Sequence, residues 1–138
     1  MVSTSTRGRV LIADDDPIIR TVLMSIVTNE GFDAVQVTDG REAFRLLQTD
    51  SRFAGALFDL RMPGLNGIDL VSHMQTEKRL QRIPVMLITA DTDARILSDV
   101  FSAGAAAYLP KPFTRDQVRR AVRMLLRNSA IRRPAIAA

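Results

Sequence analysis

Short apolar runs and longer amphipathic stretches alternate from one end of the chain to the other. Residues 10–13, 34–37, 56–58, 85–88 and 106–109 are mostly apolar and too short for helices, which predicts five buried strands. Between them, apolar side chains recur at helical spacing. The first such face is Ile19, Val22, Leu23, Ile26 and Val27, the second Ala43, Leu46 and Leu47, and the third Ile68, Val71 and Met74. Ile96, Leu97, Val100 and Phe101 form a fourth, and Val118, Ala121, Val122 and Leu125 a fifth. The helix ends carry their own signals. Pro17 sits at a first helical position with Asp16 as its cap, Asp39-Gly40 opens the second helix, Gly104 closes the fourth, and Thr114 with Gln117 forms a capping box for the fifth.

Strand and helix in strict alternation predict an α/β fold, a doubly wound parallel sheet of five strands with five helices. Right-handed crossovers put helices on both faces and bring the carboxyl ends of all the strands to one rim. Pro110, which has no N–H to give a neighbour, places the fifth strand at the sheet edge.

With 138 residues, the chain is one domain long. The pattern predicts a domain over residues 9–128, a disordered N-terminus over 1–8, and a disordered basic tail or linker stub over 129–138. There is no cysteine, which excludes disulfides, thiolate metal sites and thiol nucleophiles. Residues 1–9 have no apolar leader and no later run is long enough to span a bilayer, so a cytoplasmic protein without membrane contact is expected. The net charge of +4 is unevenly distributed: residues 111–138 hold eight basic side chains and one acid, leaving the rest of the chain at −3. A mildly acidic body with a basic last helix argues against direct nucleic-acid binding.

The sheet topology changes the meaning of several isolated polar residues. Asp14 and Asp15 follow the first strand, Asp59 the third, Thr89 the fourth and Lys111 the fifth, so all five arrive at the same rim. Taken alone, Asp59 could equally be a turn cap before the Pro-, Gly- and Asn-rich loop. Three carboxylates in one crevice repel one another, and a hard divalent cation such as Mg²⁺ relieves that repulsion. Lys111 and Thr89 are donors suited to phosphoryl oxygens, and Asp59 can act as a carboxylate nucleophile on phosphorus to give an acyl phosphate. A phosphohydrolase with an aspartyl nucleophile would carry a second Asp two residues on, where this chain has Arg61.

Asp14-Asp15, Asp59 with Met62-Pro63 and Gly67, Thr89-Ala90, Tyr108 and Lys111-Pro112-Phe113, in that order and spacing, resemble the receiver domain of two-component response regulators, the CheY-like family. The resemblance covers nearly the whole chain. It implies a flavodoxin-like sheet of order 2-1-3-4-5 in a stand-alone receiver that is a phosphoacceptor switch rather than an enzyme. Asp59 would take a phosphoryl group from a phosphohistidine on a sensor histidine kinase or histidine phosphotransfer protein. Mg²⁺ would be held by Asp15, Asp59 and the main-chain carbonyl of Arg61 directly, and by Asp14 through water. Thr89 and Tyr108 would form the switch, acting on a downstream protein through the face of the fourth helix, fifth strand and fifth helix. Pro17, Ile18, Ile19, Pro112 and Phe113 would dock the phosphodonor, and the Lys111-Pro112 bond would be cis. A receiver cut from a longer regulator with a DNA-binding or enzymatic output is the alternative.

Arg61 and Asp91 stand two residues beyond Asp59 and Thr89, where they could pair across the pocket mouth or Arg61 could reach the phosphoryl group, tuning its lifetime. His73, the single histidine, reads as a partly buried or surface side chain, and Met24, Met74, Met86 and Met124 as core filler. Arg115, Arg119, Arg123 and Arg127 recur at four-residue steps with Arg120 beside them. Like charges at that spacing require compensation from a neighbouring element, with Asp99 a candidate, or an acidic partner.

Overall fold

The computed structural model describes residues 7–91 and 93–137, with side chains through Arg127. The strands are β1 (Arg9–Ala13), β2 (Asp33–Val37), β3 (Gly55–Asp59), β4 (Val85–Thr89) and β5 (Ala107–Pro110). They form one parallel sheet of order β2-β1-β3-β4-β5, with β5 and its Pro110 at the edge. The helices are α1 (Pro17–Asn29), α2 (Gly40–Thr49), α3 (Gly67–Met74), α4 (Lys78–Gln81), α5 (Ala94–Ala103) and α6 (Arg115–Ala137).

The sheet is the one expected, but there are six helices among the described residues rather than five. The addition, α4, is a single turn anchored by the fully buried Leu80. One apolar side chain in four residues carries no period, so the sequence pattern does not reveal it. The fourth and fifth helices of the sequence reading are therefore α5 and α6. The backbone of α6 stays helical through Ala137, across the stretch expected to be a tail and past Pro134. Of the N-terminal segment, residues 1–6 lie outside the described residues. Arg7 and Gly8 are tied down: the Arg7 N–H donates to the Gly31 carbonyl at 2.8 Å, and the Gly8 carbonyl accepts from Asp33 at 2.8 Å.

Both sheet faces are covered, as parallel strands require. Leu11, Ala56, Phe58, Val85 and Leu87 face α2, α3 and α5. Val10, Ile12, Leu57, Met86 and Ile88 face α1 and α6. Two inward assignments fail. Phe101 is 49% exposed and Met124 71% exposed, because the buried stripes run through Val100 on α5 and through Val118, Val122, Leu125 and Leu126 on α6. Met74 and Met86 are core as expected.

One glycine fixes how α3 meets the sheet. A Cβ on Gly67 would lie 2.8 Å from Leu87 Cδ2 and 2.9 Å from the Asp59 carbonyl oxygen, and the Gly67 N–H donates to the Leu60 carbonyl at 2.9 Å. Only a residue without a side chain lets the helix start this close to the end of β3.

Candidate functional site

The acids reach the rim through the strands that end there. Asp14 follows β1, its side chain fully buried; Oδ1 accepts the Asp16 N–H at 2.9 Å, while Oδ2 is buried with no hydrogen-bond partner. Asp15 is exposed beside it. Asp16 does what its position predicted, accepting the Ile18 and Ile19 N–H groups at 2.8 and 3.4 Å as the cap of α1. Asp59 is the last residue of β3 and 7% exposed, with Oδ1 facing the Arg61 N–H at 3.4 Å. One carboxylate oxygen from each of Asp14, Asp15 and Asp59 falls within 4.8 Å of the others.

Thr89 ends β4 at 1% exposure, and its Oγ1 accepts the Asp91 N–H at 2.9 Å. The Lys111 N–H donates to the Thr89 carbonyl at 2.8 Å, fastening the loop after β5 to the end of β4. The Lys111-Pro112 bond is cis. Lys111 Nζ lies 3.5 Å from Asp59 Oδ2 and 3.9 Å from Asp14 Oδ2. The three acids and Lys111 therefore meet, and Thr89 is fastened beside them through the Lys111 backbone.

Crowding and burial set the electrostatics. Burial pushes the Asp14 carboxyl up to about 6, the Asp16 N–H and Lys111 opposing it and the Asp59 and Asp15 charges adding to it. Asp59 is also raised, by burial first, with Lys111 pulling it back. The donor set is entirely oxygen, one of those oxygens is buried without a partner, and the cluster holds more negative charge than Lys111 can balance. That combination fits a hard divalent cation.

Around the acids the expected secondary residues take up distinct places. Arg61 Nη2 donates to Asp91 Oδ2 at 2.6 Å, so the two pair across the mouth, and Arg61 holds the Asp91 carboxyl below the usual carboxylate range. Ile19, Ala90, Lys111, Pro112 and Phe113 line a cavity of about 370 Å³, which brings three of the five suggested docking residues together; Pro17 is exposed and Ile18 is 72% exposed on the same end of α1. Tyr108 is half-buried on β5 with Phe101 edge-on to its ring, centroids 5.9 Å apart.

Several residues that the sequence marked only weakly, or not at all, prove to have definite partners. Arg20, half-buried on α1, donates from Nη1 to the Asp14 carbonyl at 2.7 Å and from Nε to Gln36 Oε1 at 3.3 Å. Nothing in its spacing separates it from a surface arginine. Two arginines of the α6 stripe are compensated, Arg123 by Glu30 at 2.9 Å and Arg119 by Asp116 at 2.7 Å, rather than by Asp99, while Arg115 donates to the Ser25 hydroxyl at 3.2 Å. His73 is partly buried: its ring lies 4.6 Å from the ring of Phe44, with Nε2 3.0 Å from Glu77 Oε2.

A five-stranded parallel sheet with an acid cluster, a hydroxyl and a lysine on its carboxyl rim defines a class of α/β protein that binds its ligand at that rim. Within it, the chain belongs to the response regulator receiver domain family, whose description matches residues 10–123. The DNA-binding response regulator MtrA of Mycolicibacterium smegmatis is 32% identical over 123 residues, 89% of this chain and 52% of that protein. Transcriptional regulatory protein TctD of Salmonella typhimurium is 35% identical over 122 residues, 88% of this chain and 53% of its own length. The chain thus spans about half the length of these curated relatives. Among solved structures, the chemotaxis response regulator CheY4 of Vibrio cholerae superposes with a TM-score of 0.81 at 25% identity, covering 88% of this chain and all of that one. The receiver domain of the sensor histidine kinase PA1611 of Pseudomonas aeruginosa, described with a magnesium ion coordinated in its active-site cleft, gives 0.76 at 25% identity over 86% of this chain and 97% of its own. Receiver domains are phosphoacceptor switches of two-component systems, and among the described residues no helix is long and apolar enough to cross a membrane.

Proposed function

We propose that the chain is a cytoplasmic response-regulator switch in which Asp59 accepts a phosphoryl group from a phosphohistidine on a sensor histidine kinase or histidine phosphotransfer protein. The observation that carries this reading is Asp59 at the end of β3, with carboxylates of Asp14 and Asp15 within 4.8 Å and Lys111 Nζ at 3.5 Å. A carboxylate oxygen of Asp59 attacks phosphorus, the P–N bond to the donor imidazole breaks, and the bonding pair leaves with the imidazole nitrogen. Asp59 needs no base, since its ionised form is already the nucleophile, and Lys111 stabilises both that form and the incoming phosphoryl oxygens. Asp14, Asp15, Asp59 and the main-chain carbonyl of Arg61 would hold Mg²⁺, whose contribution is neutralisation of charge on those oxygens.

Thr89 ends β4 on the same rim, and Tyr108 lies on the neighbouring β5, paired in register with Leu87. Phosphorylation shifts an existing equilibrium in which these two side chains reposition and alter the α5, β5 and α6 face presented to a downstream protein. The Arg61–Asp91 pair controls water access to the acyl phosphate and so sets how long the signal lasts. Pro17, Ile18, Ile19, Pro112 and Phe113 receive the donor.

Incubation with radiolabelled acetyl phosphate and Mg²⁺ tests the reading. Stoichiometric labelling that disappears in Asp59→Asn supports it, and sustained turnover of phosphomonoesters overturns it in favour of a hydrolase. The length of the curated relatives favours a second reading of the same chemistry, a receiver module that controls an attached DNA-binding or enzymatic output.

A further inference from the structure

The loop that carries Asp14 and Asp15 is held from outside the acid cluster, by Arg20. The Asp14 backbone has two tethers: its N–H donates to the Val37 carbonyl at a long 3.4 Å, and its carbonyl accepts Arg20 Nη1 at 2.7 Å. The first is weak by distance, so the guanidinium is the firmer of the two. Arg20 has further contacts: its main-chain N–H donates to the Asp16 carbonyl at 3.0 Å within the first turn of α1, and its Nε reaches Gln36 Oε1 on β2 at a longer 3.3 Å. One side chain thus spans the beginning of α1, the acidic loop and the edge strand.

We infer that Arg20 is a positioning residue for the cation site, fixing the Asp14-Asp15 peptide so that both carboxylates face Asp59. The inference rests on the metal reading given under Proposed function. The geometry separates this role from simple charge balance. Arg20 bonds the Asp14 carbonyl and not a carboxylate, whereas the cation that faces the carboxylate oxygens is Lys111, at 3.5 and 3.9 Å. A residue that only diluted negative charge would lower affinity for a divalent cation. A residue that orients the ligands raises it, as groups behind metal ligands do elsewhere.

The two roles predict opposite results. Mg²⁺ titration of the full chain by calorimetry, with backbone amide shifts of Asp14, Asp15 and Asp16 recorded in parallel, measures affinity without any phosphoryl transfer. Arg20→Gln is expected to weaken Mg²⁺ binding by about tenfold and to move those three amides before metal is added. Its melting temperature in EDTA should stay close to that of the parent. Arg20→Lys keeps the charge but not the fork, and should bind nearly as weakly as Arg20→Gln. If Arg20→Gln does not fold, Gln36→Leu, which removes the second anchor of the guanidinium, serves as the test variant and is expected to give a smaller loss of the same sign. Affinity within twofold of the parent, or tighter binding in Arg20→Gln, overturns the inference. A parent protein that binds no Mg²⁺ overturns it together with the metal reading, a result that Asp59 labelling by acetyl phosphate reports separately.

Discussion

Asp14 is held in a state that water would not choose: fully buried, one oxygen bonded to the Asp16 N–H and the other bonded to nothing. Its carboxyl is raised to about 6 from an unfolded value near 3.8, so the folded protein binds the proton more tightly than the unfolded chain. The sign follows from linkage: between those two values stability falls as pH rises, and above about 6 the full penalty of the ionised group is present. At 1.36 kcal/mol per unit this is on the order of 3 kcal/mol. Metal-free protein is therefore expected to melt higher at pH 5 than its other groups alone would allow, and Mg²⁺ to raise the melting temperature more at pH 7.5 than at pH 5. Scanning calorimetry at both values, with EDTA and with Mg²⁺, checks this; an equal gain from Mg²⁺ at both would contradict it. Arg61 and Asp91 make the second prediction at this scale. They form one pair, so Arg61→Ala and Asp91→Ala should change the dephosphorylation half-life by similar factors of a few, while barely altering melting, since Arg61 is 73% exposed. Half-lives unchanged in both variants would remove the pair from any timing role.

Elements were legible to the extent that their signals were local. Asp16 before Pro17, Asp39 at Gly40 and Thr114 with Gln117 cap α1, α2 and α6 as their residue types require. The rim residues were legible for the same reason: each follows a short apolar run, and a parallel sheet brings every such end to one side. What escaped notice depends on tertiary neighbours. The single turn of α4 exists because Leu80 has a core to enter. Phe101 and Met124 satisfied helical spacing, yet each lies one step off the stripe that the sheet covers. Arg20 carries no signal in the sequence, because its partners, Gln36 on β2 and the Asp14 carbonyl, are brought to it only by the fold. At the same scale, Gly67→Ala forces a Cβ against Leu87 and the Asp59 carbonyl. It should cost about 1–3 kcal/mol in denaturant unfolding and slow labelling of Asp59 by acetyl phosphate, because the strain falls on the end of β3. Full stability and a normal labelling rate would show that α3 can retreat.

At the scale of the molecule, the sheet separates two apolar clusters, one under α2, α3 and α5 and the other under α1 and α6. Asp59 and Thr89 end the two central neighbours, β3 and β4, and β5 lies next to them with Tyr108 half-buried. A change at Thr89 is therefore one strand away from the Phe101–Tyr108 contact. Phosphorylation by acetyl phosphate should shift backbone amides from Ala90 through Phe101 to Tyr108 and Lys111, whereas in Thr89→Val the shifts should stay within the acidic loops. Identical shift patterns in the two proteins would sever Thr89 from the distant face.

The cavity bounded by Ile19, Ala90, Lys111, Pro112 and Phe113 shares only Lys111 with the acids beside it. Under the function proposed above, address and chemistry are written in nearly disjoint sets of side chains. On the proposed function, Ile19 and Phe113 can be exchanged to favour one donor over another while the carboxylates remain as they are. Insulation between parallel signalling lines then becomes a matter of shape along one end of α1 and one loop, and a line can be rerouted without rebuilding the acid pocket.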